Sequence, residues 1–281
     1  MSKRHHSDYD EFTTARCERA LVTLLGDIGP WNQRVYLVGG LAPRYIVGSL
    51  PDGARPHVGT TDVDLVIGLA VGDESPEAYR TLENNLKKAG FKAESSFRWL
   101  KNVEGVTVIV EFLCETDQVE PGKIFKPKDG TGSGLGAFNV RGAQLVTRDF
   151  VEREIEAERL DDGGHSKVTV RIANILSYTV LKILAFQDRH ENKDSYDLVY
   201  CLLNFGDGPE DAGHAAARSA IRGDAQVEDA LRLLSERFAD AAQDGPHAYG
   251  AFLADEGDDE GAARLRQEAV AVVRDFLEAI R

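Results

Sequence analysis

Apolar and polar positions along this chain follow two different periods, and the change from one to the other divides it. Phe12, Ala15, Ala20, Leu24 and Leu25 recur at helical spacing and predict a helix from about Asp8 to Asp27, ended by Gly29-Pro30. Val35-Tyr36-Leu37-Val38 is a short, wholly apolar run cut off by Gly39-Gly40, the pattern of a buried strand. Leu41 to Val47 predicts a helix with Gly48 and Pro51 as stops, and Asp62 to Leu69 a second strand. Pro76 to Ala89 predicts an amphipathic helix, opened by Ser75 at a cap position and closed by Gly90.

Ser96 to Leu100 and Val106 to Leu113 read as strands around a turn at Asn102 to Gly105. In the second, Thr107, Ile109, Glu111 and Leu113 alternate with Val106, Val108, Val110 and Phe112. Asp117 to Gly136 is rich in Gly, Pro and Lys and predicts a long loop. Gln144 to Val146 and Lys167 to Val170 predict short strands, with a turn at Asp161-Asp162-Gly163-Gly164. After Arg171 the period is helical throughout: Ile172 to Asp188, Asp194 to Leu203, Pro209 to Ile221, Gln226 to Ala242 and Gly261 to Ile280. The expected fold is α/β (α+β), a mixed sheet flanked by helices and followed by a helical bundle. A catalytic domain over 1–165 would precede a helical domain over 166–281 that completes the cleft, and no internal repeat interrupts this division.

Length and composition narrow the class. A chain of 281 residues, 42% apolar and 28% charged, has material for a substantial core. No apolar stretch approaches the roughly 20 residues that cross a bilayer. The basic start leads into polar residues, unlike a signal peptide. Cys17, Cys114 and Cys201 are odd in number and widely spaced, which fits a reducing cytoplasm better than a disulfide framework. A net charge of −14 disfavours non-specific nucleic-acid binding, although local fields decide docking. The acidic run Asp255 to Glu260 and the basic group Lys123, Lys126 and Lys128 both read as solvated surface.

The candidate chemistry begins with Asp62 and Asp64. Residues two apart on a strand share a face, so both carboxylates project together. Two such anions repel unless a cation lies between them. The usual resident is a hard divalent ion, and magnesium takes one or two carboxylates plus substrate phosphates. Asp-x-Asp is by itself also a surface-turn motif, but here it precedes the apolar run Leu65-Val66-Ile67. Gly39-Gly40 after a strand lets backbone approach a ligand and, at a helix N-terminus, favours phosphate; a plain tight turn is the commoner explanation of the pair alone. Glu111 stands at the polar phase of a later strand, either as a third acid or as an edge-strand acid facing water, with Glu115 as the alternative third acid.

Lys182 lies among Leu181, Ile183, Leu184 and Phe186 on an apolar helix, where a lysine needs a partner or an exit to solvent. Arg189, seven residues on, shares its face, and the pair reads either as a phosphate grip or as the helix's polar edge. Asp194 and Asp197 are neighbours on one helix face, and Lys193 with Asp197 has the spacing of a surface ion pair. Tyr196 and Tyr200 read as core, with base stacking as the alternative.

In this order the motifs resemble the nucleotidyltransferase fold, and more narrowly the AbiEii/AbiGii toxin-like nucleotidyltransferases of abortive-infection and toxin–antitoxin systems. The matching segments are Val38-Gly39-Gly40-Leu41-Ala42 with Thr60-Thr61-Asp62-Val63-Asp64, then Lys182, Asp188-Arg189 and Lys193-Asp194-Ser195-Tyr196-Asp197-Leu198. The likeness spans roughly residues 20 to 205. It departs in a longer gap between Gly40 and Asp62, around Ser49 to Pro56, and in Glu rather than Asp as third acid.

The resemblance implies transfer of a nucleoside monophosphate from an NTP to an acceptor hydroxyl, with pyrophosphate released. Asp62, Asp64 and Glu111 would hold Mg²⁺, or Mn²⁺ in its place. Gly39, Gly40, Thr60, Thr61, Lys182 and Arg189 would bind the nucleotide, and Asp194 would be important for activity with Asp197 in support. It also implies an RNA acceptor, particularly the tRNA 3′ end, growth inhibition as the outcome, and a cognate antitoxin. The same residues would serve a small-molecule or protein acceptor, which the acidic composition favours. A non-catalytic nucleotide-binding module is the third alternative.

Overall fold

The computed structural model describes residues 5–50, 53–68, 76–127 and 133–281. Pro51, Leu69, Ser75 and Lys128 lie outside the described residues. In chain order the elements are α1 (Glu11–Gly26), β1 (Val35–Val38), α2 (Pro43–Ile46), β2 (Asp62–Ile67), α3 (Pro76–Lys88), β3 (Lys92–Ala93), β4 (Arg98–Val103) and β5 (Val106–Cys114). Then come β6 (Ile124–Phe125), β7 (Ala137–Asn139), β8 (Phe150–Glu158), β9 (His165–Ala173), α4 (Ile175–Arg189) and α5 (Asn192–Asn204). Four helices finish the chain: α6 (Pro209–Ala217), α7 (Ala225–Arg237), α8 (Asp244–Leu253) and α9 (Asp259–Ala279).

These elements form an α/β structure of two compact units. The sheet unit takes Asp10–Ala42 and Gly59–Ala173; the helical unit takes Met1–Tyr9, Pro43–Val58 and Asn174–Arg281. The chain therefore passes to the helical unit at Asn174 rather than near 165, because β9 runs on to Ala173. It also visits that unit earlier, through Pro43–Val58.

In the sheet unit the strand order is β3-β4-β5-β2-β1-β9-β8, with β7 beside β5 and β6 beside β7. β1 runs antiparallel to β2 but parallel to β9, and β2 is parallel to β5, so the sheet is mixed. Val63, Leu65, Val108, Val110 and Phe112 are completely buried on one face, which α1 covers with Leu21 and Leu24. Asp10 caps α1, its carboxylate accepting from the Thr13 amide at 2.7 Å. Period-2 alternation then leaves Asp62, Asp64 and Glu111 half-buried on the opposite face.

Several elements differ from expectation. Gln144 to Val146 lies in a 3-10 turn, Ala143–Thr147, entered through Gly142 at a φ of 86°. β8 is an addition to the expected strands: as an outer strand it exposes Glu152, Glu154, Glu156 and Glu158 and buries only Ile155. The helix expected over Leu41 to Val47 is a 3-10 turn, Gly39–Leu41, followed by the single turn of α2. The loop from Asp117 to Gly136 includes β6.

In the helical unit, α5 packs between α4 and α8, while α9 lies against α6 and α8. Phe186, Phe252 and Phe276 are among its largest fully buried side chains. The Asn174 side chain accepts from the Ile175 amide at 2.8 Å and starts α4. α8 is also an addition, since its Gly245-Pro246 opening and small residues look like a loop. The three cysteines are buried. Among the described residues no helix is long and apolar enough to cross a membrane. Lys123, Lys126 and the run Asp255 to Glu260 are exposed.

Candidate functional site

The acidic group is built on β2. Its parallel register with β5 sets Asp64 directly beside Glu111 and Asp62 beside Ile109, so the three acids share one sheet face. On the other side of β2, Val38 of β1 is the partner of Asp64, which brings the glycine turn alongside that carboxylate. Gly39 has a φ of +66°, and a Cβ there would run into the Asp64 carboxylate, lying 2.6 Å from Cγ and 2.8 Å from Cβ. Gly39 is thus required twice, for its backbone angle and for its missing side chain. Asp64 is the group it accommodates here.

The two threonines hold the start of β2. The Asp62 amide donates to Thr60 Oγ1 at 3.2 Å, and Thr61 Oγ1 donates to Asp62 Oδ1 at 2.9 Å. Thr60 is itself tied down, its amide donating to Thr14 Oγ1 of α1 at 3.1 Å. Glu111 meets a cation that the sequence motifs do not single out: Arg98 Nε lies 3.2 Å from Glu111 Oε1 and 3.2 Å from Glu94 Oε2. Arg98 is the antiparallel partner of Glu111 across β4 and β5, a cross-strand pair invisible without the register. Glu115 lies past the acid face and accepts from the Gln144 amide at 2.9 Å.

The donor set of Asp62, Asp64 and Glu111 is three hard carboxylates on one face, which in kind fits magnesium or manganese. Among the described residues no three His, Cys, Asp or Glu side chains converge closely enough to form a ready cage. The side-chain placements are consistent with that, since Asp64 rests on Gly39 and Glu111 leans to Arg98.

The second group is an ionic core inside the helical unit. Lys182, only 6% exposed, places Nζ 2.6 Å from Asp197 Oδ2 and 3.1 Å from Asp194 Oδ1. Arg189 grips Asp194 in the two-pronged manner typical of guanidinium and carboxylate, Nε to Oδ2 at 2.6 Å and Nη2 to Oδ1 at 2.7 Å. Asp197 Oδ1 accepts from Lys193 Nζ at 2.7 Å and from His57 Nε2 at 2.8 Å. Lys193 and Asp197 are therefore a buried pair rather than the expected surface pair, with side chains 15% and 1% exposed.

Burial alone would discharge these groups, and pairing opposes it. Desolvation pushes the Lys182 pKa down, but Asp197 and then Asp194 outweigh it and the net shift is upward. Desolvation likewise pushes both aspartates up, yet Lys182 and its neighbours hold them below the usual carboxylate range, Asp197 furthest. For Lys193 burial prevails over Asp197 and the pKa falls. His57 is pushed down to about 4, chiefly by burial despite the adjacent Asp197, so its ring is neutral at pH 7 and Nε2 carries the hydrogen it donates.

Lys182, Lys193 and Arg189 thus surround two carboxylates, and the exposed member of the group is Arg189, whose side chain is 59% accessible. Tyr196 and Tyr200 are core residues, their rings packed on His57, and Tyr196 also on Phe252. His57 gives no sequence signal, being a lone histidine in a loop-like stretch. Comparison with protein-family models finds none that matches this chain, and comparison with curated proteins finds no match either.

Proposed function

We propose that this chain is a metal-dependent nucleotidyltransferase, moving a nucleoside monophosphate from an NTP to an acceptor hydroxyl and releasing pyrophosphate. The observation that carries the reading is the register that sets Asp64 beside Glu111, with Asp62 on the same face and the Gly39 turn against Asp64. Asp62, Asp64 and Glu111 would be the ligands of Mg²⁺ or Mn²⁺. When bound, such an ion neutralises triphosphate charge and lowers the pKa of the attacking hydroxyl.

The chain's own contribution is placement. Thr60 and Thr61 fix the entry to β2, and with it the direction of Asp62. Gly39 leaves room for Asp64, and Arg98 orients Glu111. In the helical unit Lys182 is buried beneath two carboxylates that it also holds in place, while the Arg189 side chain is exposed.

The resemblance to AbiEii-type toxins extends the proposal to an RNA acceptor, the tRNA 3′ end, and to a cognate antitoxin. The net charge of −14 favours a second reading in which the acceptor is a small molecule or a protein side chain. Incubation of the protein with each labelled NTP, Mg²⁺ and total tRNA distinguishes them. Label on tRNA supports the first acceptor, and label on the protein or on an added aminoglycoside supports the second. No label anywhere and no NTP binding would reject the transferase reading and leave a different role for the fold.

A further inference from the structure

The connection between the glycine turn and β2 is long, and its last part is anchored on α5. His57, 4% exposed, stacks on Tyr196 with ring centroids 5.2 Å apart and stands edge-on to Tyr200 at 4.9 Å. The next residue adds a backbone tie, the Val58 amide donating to Tyr196 Oη at 3.1 Å. Two rings and one hydrogen bond therefore fix where the imidazole sits. From that position Nε2 donates to Asp197 Oδ1, the oxygen that Lys193 also approaches, while Oδ2 faces Lys182.

We propose that His57 is a positioning residue whose Nε2–H fixes the rotation of the Asp197 carboxylate, so that Oδ2 stays on Lys182 and locks that lysine in the ionic core. A carboxylate held on both oxygens cannot turn without breaking a charge-assisted hydrogen bond in a buried setting, where such bonds are strongest. Remove the His57 donor and only Lys193, on a flexible stem, still holds Oδ1; the carboxylate can then turn together with that ammonium, lengthening its bond to Lys182. His57 directly follows Ser49 to Pro56, the stretch to which the long Gly40-to-Asp62 spacing is ascribed. The effect on nucleotide binding rests on the transferase reading; the state of Lys182 does not.

The test separates the ring from its N–H. Gln and Met have nearly the same length and shape, and only Gln can donate to Asp197; Phe keeps the stacked ring and loses the donor. Lys182 acetylation by acetic anhydride is followed by mass spectrometry in His57→Gln, His57→Met and His57→Phe, normalised to Lys87, whose side chain is 60% exposed. Met and Phe are expected to raise Lys182 labelling about tenfold, the ratio for losing one hydrogen bond to a charged group, while Gln stays within about twofold of wild type. Equal labelling in Gln and Met, or wild-type labelling in Phe, would overturn the proposal in favour of ring packing. Because the readout is a labelling rate, it stands whether or not label transfer from NTP is seen.

Discussion

Replacing Gly39 with alanine isolates the contact on which the acidic face depends. The left-handed angle of +66° costs an L-residue roughly 1–2 kcal/mol. A second cost comes from Asp64. If only its carboxylate oxygen lay in the way, a rotation about χ1 would clear the new methyl. The added Cβ would also sit 2.8 Å from the Cβ of Asp64, which the backbone of β2 holds, so a strand must move as well. Forced overpacking of this kind costs about 1–3 kcal/mol, giving a total of about 2–5 kcal/mol. Gly105→Ala is the control: Gly105 has a φ of +86°, and a methyl added there would meet nothing within 4 Å, so only the angle counts. Urea unfolding midpoints of the two variants measure the difference, expected at about 1–3 kcal/mol against Gly39→Ala. Equal midpoints would refute the close packing of Gly39 on Asp64.

Three further outcomes follow from the ionic core. Asp197→Ala strips Lys182, Lys193 and His57 of a shared acceptor and should cost about 3–5 kcal/mol in denaturant unfolding. Lys182→Met should cost less, because Asp194 keeps Arg189 and Asp197 keeps Lys193 and His57; the reverse order would sink this reading. Between pH 6.5 and about 4 the unfolded chain protonates His57 before the folded chain does, so stability falls with falling pH by up to about 3 kcal/mol from this group. Asp194 and Asp197, held below the ordinary aspartate value of 3.8, add their loss only below that pH. Unfolding midpoints at pH 7, 5.5 and 4 should show the first slope in wild type and lose it in His57→Gln; a slope that persists in the variant belongs to other groups.

Local pattern carries the parts of this fold whose cause is local. β1 is readable because it is buried on both faces and so wholly apolar, β2 and β5 because their burial alternates, and period 2 alone puts Asp62 and Asp64 together and Glu111 in the polar phase. That Glu111 stands beside Asp64, and Arg98 beside Glu111, depends on strand register, which is a tertiary choice. β8 escapes a reading by pattern because an outer strand with one solvated face has little apolar alternation to show. Spacing pairs Lys193 with Asp197 correctly yet places them at the surface, since the burial comes from α8 and from the strap bearing His57. His57 is illegible because its partners lie 139 and 140 residues away, counting from Tyr196 and Asp197.

The acidic face is tested most directly by comparing transfer of α-labelled nucleotide by wild-type protein with that by Asp64→Asn, a change that keeps shape and removes one negative charge. Transfer chemistry centred on Asp62, Asp64 and Glu111 predicts label on an acceptor with the wild type and a loss of roughly 10²-fold or more in the variant, with the unfolding midpoint little changed. Equal transfer by the two proteins would contradict it.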